Sequence, residues 1–104
     1  MDFTRTHPRF EIDAPALLSF IGLEDQRLEA KVHDVSLGGV KLSSAVPVAL
    51  GEIVRVEIAE DVLVGVVRNS EGGDSENIVG IELLHWISKS KLDELLLEWA
   101  PVLF

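Results

Sequence analysis

From Ala14 onward the chain alternates between short runs of Val, Ile and Leu and breaks made of Gly, Pro, Asp, Asn or Ser. That punctuation is the mark of a small antiparallel β structure, because β-branched residues suit a pleated surface and the breakers supply turn geometry. Six strands are predicted. The first runs from Ala14 to Ile21 and stops at Gly22; the second covers Arg27 to Ser36 and ends in "LGG". The third, Val40 to Ser43, leads into "AVPVALG". In the fourth, Ile53 to Ala59, "VRVEI" puts Val54, Val56 and Ile58 on one face and Arg55 and Glu57 on the other, the pattern of a half-buried strand. The fifth, Val62 to Arg68, is apolar on both faces, as a central strand would be, with Glu60-Asp61 as a tight turn before it. "NSEGGDSEN" reads as an acidic loop, and the sixth strand follows from Ile78 to Leu84.

After Ser88 the period changes. Leu92, Leu95, Leu96 and Trp99 fall at i, i+3, i+4 and i+7, the spacing of one helix face, and Pro101 ends the pattern. Strands followed by one helix predict a mainly β or α+β domain: a small barrel or curled sheet, over residues 14–84, that a helix at 88–100 covers. Residues 1–13 form an N-terminal arm in this reading.

A chain of 104 residues with 47% hydrophobic residues has room for one core and enough apolar surface to build it. It has no cysteine, no leader-like segment, and no apolar stretch near the ~20 residues that span a bilayer. The expectation is therefore a cytoplasmic protein with no membrane insertion. Eighteen acidic residues against nine basic ones leave a net charge of -9, which opposes binding to the backbone of DNA or RNA. A small anion is different, since a local basic patch can hold it, and Arg5, His7 and Arg9 in "RTHPRF" form one.

Two constellations stand out. In "KVHDVSLGGVKL" the alternation Leu28, Ala30, Val32 would next point Asp34 and Ser36 inward, where an apolar core would not accept them unpaired. A bulge or a strand end near Asp34 would turn both outward onto one face. Gly38-Gly39 follows, permitting positive φ and close approach to bare backbone. The stretch suits either a plain turn or a binding edge. Likewise, Arg5 and Arg9 are either solvated side chains on a mobile arm or a clamp. Pro8 disfavours helix at His7, and in an extended arm residues four apart sit about 13 Å apart on one face, against about 6 Å in a helix. Such a pair can straddle a flat anion. Arginine makes bidentate bonds to phosphate or to the O6/N7 edge of guanine, and carboxylate and hydroxyl groups suit guanine's N1-H and N2-H2 donors.

Arg5-x-x-x-Arg9, followed by Asp34-x-Ser36-x-x-Gly39 and "VKL", resembles the paired signature of PilZ domains, and the later "LVGVVR" and "IVGIEL" resemble that family's last two barrel strands. The resemblance implies a six-stranded antiparallel β-barrel with a C-terminal α-helix and a bacterial receptor for cyclic di-GMP. By position it assigns ligand binding to Arg5, Arg9, Asp34, Ser36 and Gly39. Arg68 resembles a position beside the ligand, His33 and Gly38 are neighbours of the motif, and Thr4 stands where some members carry a further arginine. Whether one ligand molecule or a stacked pair binds is left open by Thr4.

Other chemistry is poorly supported. No Cys nucleophile exists, and Ser36 has only His33 nearby as a base, so no enzyme and no catalytic residue is expected. His7, His33 and His85 show no metal-ligand spacing, and no cofactor is implied beyond the ligand. The rival reading is a PilZ-like adaptor that binds no nucleotide, for instance in pilus assembly. Either way the output is an interaction with a downstream protein. "LLLEWAPVLF" is more apolar than one helix face needs, which suits a homodimer or partner surface as well as a segment folded back on the barrel.

Overall fold

A computed structural model describes residues 9–58, 61–73 and 75–85. They form six strands in chain order: β1 Phe10–Phe20, β2 Leu23–Val35, β3 Gly39–Ser44, β4 Ile53–Ile58, β5 Asp61–Gly72 and β6 Asn77–Leu83. Every pairing is antiparallel, and the order β1-β2-β3-β6-β5-β4 closes on itself as a barrel. The helix expected over 88–100 and the apolar tail lie outside the described residues, as do Thr4, Arg5 and His7.

Closure gives each strand an inside and an outside, so the period-2 alternation decides the core. β4 follows it strictly, with Val54, Val56 and Ile58 at 0–1% exposure. Leu18, Val32, Val35, Leu42, Val67 and Val79 fill the same interior, and Val48, from the segment between β3 and β4, joins them. Ile58→Val removes one methylene from this packed interior. It is expected to lower stability by about 1 kcal/mol in urea unfolding, with an unchanged m-value.

Three expectations need correction. β1 begins at Phe10, four residues before Ala14, so residues 10–13 belong to the barrel and not to the arm. The reason is local: Ile12 is buried at 7% exposure and extends the inward row of Ala14, Ala16 and Leu18. β5 continues through Gly72, with Asn69, Ser70, Glu71 and Gly72 paired to β6, so most of "NSEGGDSEN" is a solvent-facing hairpin and only its tip is a loop. Polar side chains do not prevent a ladder whose partner strand is close by. Asp61 likewise belongs to β5, paired with Ile58, and is not a turn residue. At the opposite hairpin, between β1 and β2, Gly22 takes φ +92°, a conformation that any other residue would adopt only under strain.

Candidate functional site

The polar residues of "HDVS" face outward because β2 carries a bulge. Val32 pairs with Leu42 and Asp34 with Lys41, so His33 is an extra residue in the ladder to β3. Val32 and Val35 are both at 0% exposure although they are three apart, which regular alternation forbids. The bulge anticipated near Asp34 is thus present. It keeps Val32 and Val35 both inward while Asp34, between them, takes the outer side, and Ser36 follows the end of β2.

The hairpin beyond is fixed by backbone bonds. The Ser36 amide donates to the Gly39 carbonyl at 2.9 Å, and the Leu83 amide of β6 donates to the Gly38 carbonyl at 2.9 Å. Ser36 itself is only 9% exposed. Gly39 does not use positive φ; what it supplies is space. A Cβ there would stand 3.3 Å from the Ile81 carbonyl oxygen and 3.6 Å from the Ser36 hydroxyl oxygen. The expectation of close approach holds at Gly39, and its first beneficiary is β6.

Arg9 lies next to this hairpin. Its neighbour Phe10 pairs with Val35, and its guanidinium Nη1 stands 3.7 Å from Asp34 Oδ1, with side-chain exposures of 48% and 17%. Arg9, read on sequence alone as part of an arm, therefore meets Asp34 of the second motif across the β1–β2 pairing. Arg5, the other half of the first motif, lies outside the described residues.

The remaining candidates separate. The His33 ring nitrogen Nε2 and the Ser43 hydroxyl share a hydrogen bond of 2.9 Å, so its polar edge is engaged along β3. His33→Ala is expected to cost about 1 kcal/mol of stability, read by thermal or urea unfolding, because Ser43 is buried at 4% exposure and loses that partner. Arg68 is also a bulge residue: Val67 pairs with Ile81 and Asn69 with Gly80. Its Nε donates to Glu82 Oε1 at 2.8 Å, and Glu82 sits opposite Gly39. Arg68 thus reaches to within one strand of the motif hairpin, through a carboxylate.

The outer surface over β2, β3, β6 and β5 carries two residues that sequence reading passed over. Lys41 is directly opposite Asp34 on one side and Gly80 on the other, and Glu82 is opposite Gly39. Both were visible as polar positions between inward ones, Lys41 between Val40 and Leu42, Glu82 between Ile81 and Leu83. Their relevance depends on strand order, which no local pattern shows. Around the hairpin, Arg9, Lys41 and Arg68 stand with Glu11, Asp34 and Glu82. A groove lined by Pro15, Leu17, Glu29, Lys31 and Glu57 lies elsewhere, on β1, β2 and β4, and includes none of the motif residues. Among the described residues, the candidate site lies on the outer surface of the barrel and not in that groove.

A family model for the PilZ domain matches residues 3–98. Among curated proteins nothing matches. Among solved structures the fold is similar to that of the Bacillus subtilis inhibitor of motility, MotI/DgrA, with a TM-score of 0.68 and 16% sequence identity. That alignment covers 97% of this chain and 51% of the other, so the chain spans about half the length of that protein. With six strands closed as a barrel and Arg9 beside Asp34 next to the β2–β3 hairpin, the chain belongs to the PilZ domain family.

Proposed function

We propose that this domain is a cyclic di-GMP receptor whose ligand lies on the outer face of the β2–β3 hairpin, clamped there by Arg5 and Arg9. PilZ domains form a family of cyclic di-GMP-binding effector modules, which supports the ligand class. The single observation that carries the reading for this chain is the 3.7 Å approach of Arg9 to Asp34, on the hairpin that also bears Ser36 and Gly39. A positive fork and an acceptor pair are then side by side, as a guanine nucleotide requires.

Binding is an exchange of partners. In the free protein Arg9 and Asp34 form a loose ion pair; with ligand, Arg9 turns to a phosphate or to the guanine O6/N7 edge, and Asp34 accepts from guanine N1-H and N2-H2. The exposed pair that opens is weak, on the order of 0–1 kcal/mol, so the exchange costs little against charge-assisted bidentate bonds. Turning Arg9 from Asp34 to the ligand, with Arg5 closing on it as well, changes the surface offered to a partner protein, and that change is the signal. The output is an interaction and not a reaction.

Calorimetric titration of the full chain with cyclic di-GMP tests the proposal. Micromolar or tighter binding is expected, with NMR shift changes centred on residues 33–41. The absence of both heat and shift changes at high ligand concentration would sink it and favour the non-binding adaptor.

A further inference from the structure

We propose that Lys41 is a further ligand-binding residue, a phosphate contact on β3 that neither motif contains; this rests on the receptor reading above. Charge accounting singles it out. Arg9 is paired with Asp34, Arg27 and Arg55 with Glu57, Lys31 with Asp13, and Arg68 with Glu82. Among the described residues, Lys41 alone of the Lys and Arg side chains has no carboxylate partner. This is unexpected, because its cross-strand neighbour on β2 is Asp34, and opposite charges in directly opposed positions attract. Asp34 is instead engaged by Arg9, which leaves an unneutralised ammonium beside the motif hairpin.

Geometry keeps that ammonium available. Val40 at 3% and Leu42 at 0% exposure point into the barrel, so Lys41 between them points out, and it is exposed. Across β6 it faces Gly80, which has no side chain to cover it. A Cβ at Gly80 would meet the Asn69 Cβ and Nδ2 atoms at 3.3 Å, so the Asn69 amide lies across this position. Gly39 is two residues before Lys41 on the same outward row. Lys41 therefore rises beside the bare backbone of Gly39, where a planar group can approach the sheet, with the Asn69 amide lying over Gly80 beyond it. An ammonium on a flexible stem suits a phosphate at the edge of such a group, as a point charge that the arginine forks need not supply.

The role divides by chemistry. Arg9 reads shape and charge from the β1 side, while Lys41 neutralises charge from the β3 side, so a ligand with two phosphates has a cation on either flank. The ligand class this favours is a cyclic dinucleotide over a mononucleotide, whose one phosphate group would leave one flank unused.

The test is calorimetric titration of the full chain with cyclic di-GMP in the unaltered protein, Lys41→Met, Lys41→Arg and Lys31→Met, each at low and high sodium chloride. Lys41→Met is expected to bind about tenfold more weakly and with a shallower salt dependence, since one screened contact is gone. Lys41→Arg should stay within about threefold of the unaltered protein because it keeps the charge. Lys31→Met, which removes a cation already paired with Asp13, should bind normally. Equal affinity and salt dependence for Lys41→Met and the unaltered protein would overturn the inference while leaving the receptor intact. Equal weakening by Lys41→Met and Lys31→Met would overturn it too, by reducing the effect to net charge. If the unaltered protein itself does not bind, the receptor reading fails and the Lys41 role with it.

Discussion

Arg9→Ala is expected to weaken cyclic di-GMP binding by about thirtyfold or more, roughly 2 kcal/mol, because it removes a charge-assisted bidentate contact. Stability should hardly move, since the Arg9–Asp34 pair is half exposed on the arginine side and such pairs contribute on the order of 0–1 kcal/mol. That separation distinguishes a binding residue from a structural one. Arg9→Lys keeps the charge without the planar fork and should recover only part of the loss. Arg5→Ala provides the companion measurement on the other half of the pair. If both alanine variants titrate like the unaltered protein, the clamp is wrong, whatever else the surface binds.

Gly65→Ala is expected to destabilise the barrel by about 3 kcal/mol or more, one of the largest losses any single methyl group could cause here. A Cβ at Gly65 would fall 2.5 Å from both the Glu82 carbonyl oxygen and the Ile81 Cγ2 atom, and 3.1 Å from the Glu82 carbonyl carbon. Two of those atoms are backbone, held in the β5–β6 pairing where Gly65 faces Leu83, so they cannot rotate aside. The methyl group must push β6 away from β5. Urea unfolding at constant m-value measures the loss, and a change under about 1 kcal/mol would mean that the strands slide more freely than their register suggests. The same displacement moves Glu82, which holds Arg68 and sits opposite Gly39, so ligand affinity should fall together with stability.

Much of the barrel was legible because its interior is apolar and its period strict. "VRVEI" placed β4 to within one residue, since each Val or Ile needed a buried side and each charge a wet one. The bulge near Asp34 was legible for the converse reason, a polar residue due at an inward position. The far half of β5 was missed because Asn69 to Gly72 bury little, and their pairing is dictated by the neighbouring β6 strand and not by their own composition. The start of β1 was missed because Phe10 and Asp13 frame a single inward Ile12, too short a stretch to show a period. At the site, Arg9 and Asp34 could be joined by resemblance, and the β1–β2 pairing supplies the physical reason. Lys41 and Glu82 needed the strand order, because neighbours across β3 and β6 are about 40 residues apart in sequence.

The extra residue at His33 also makes the domain suited to redesign. Omitting it from the count, Val32, Asp34 and Val35 meet Leu42, Lys41 and Val40 in unbroken succession, so the bulge is a local inset in an otherwise regular ladder. The inward pair Val32 and Val35 is thereby held by the ladder and not by the side chain at Asp34. Asp34 and Lys41, opposed across β2 and β3, behave as an exchangeable pair on a fixed mount: their chemistry can be rewritten for another small anion without choosing a new set of packed side chains. A library randomised at Asp34 and Lys41 should keep the unfolding transition of the parent in most of its members, while their ligand preferences diverge.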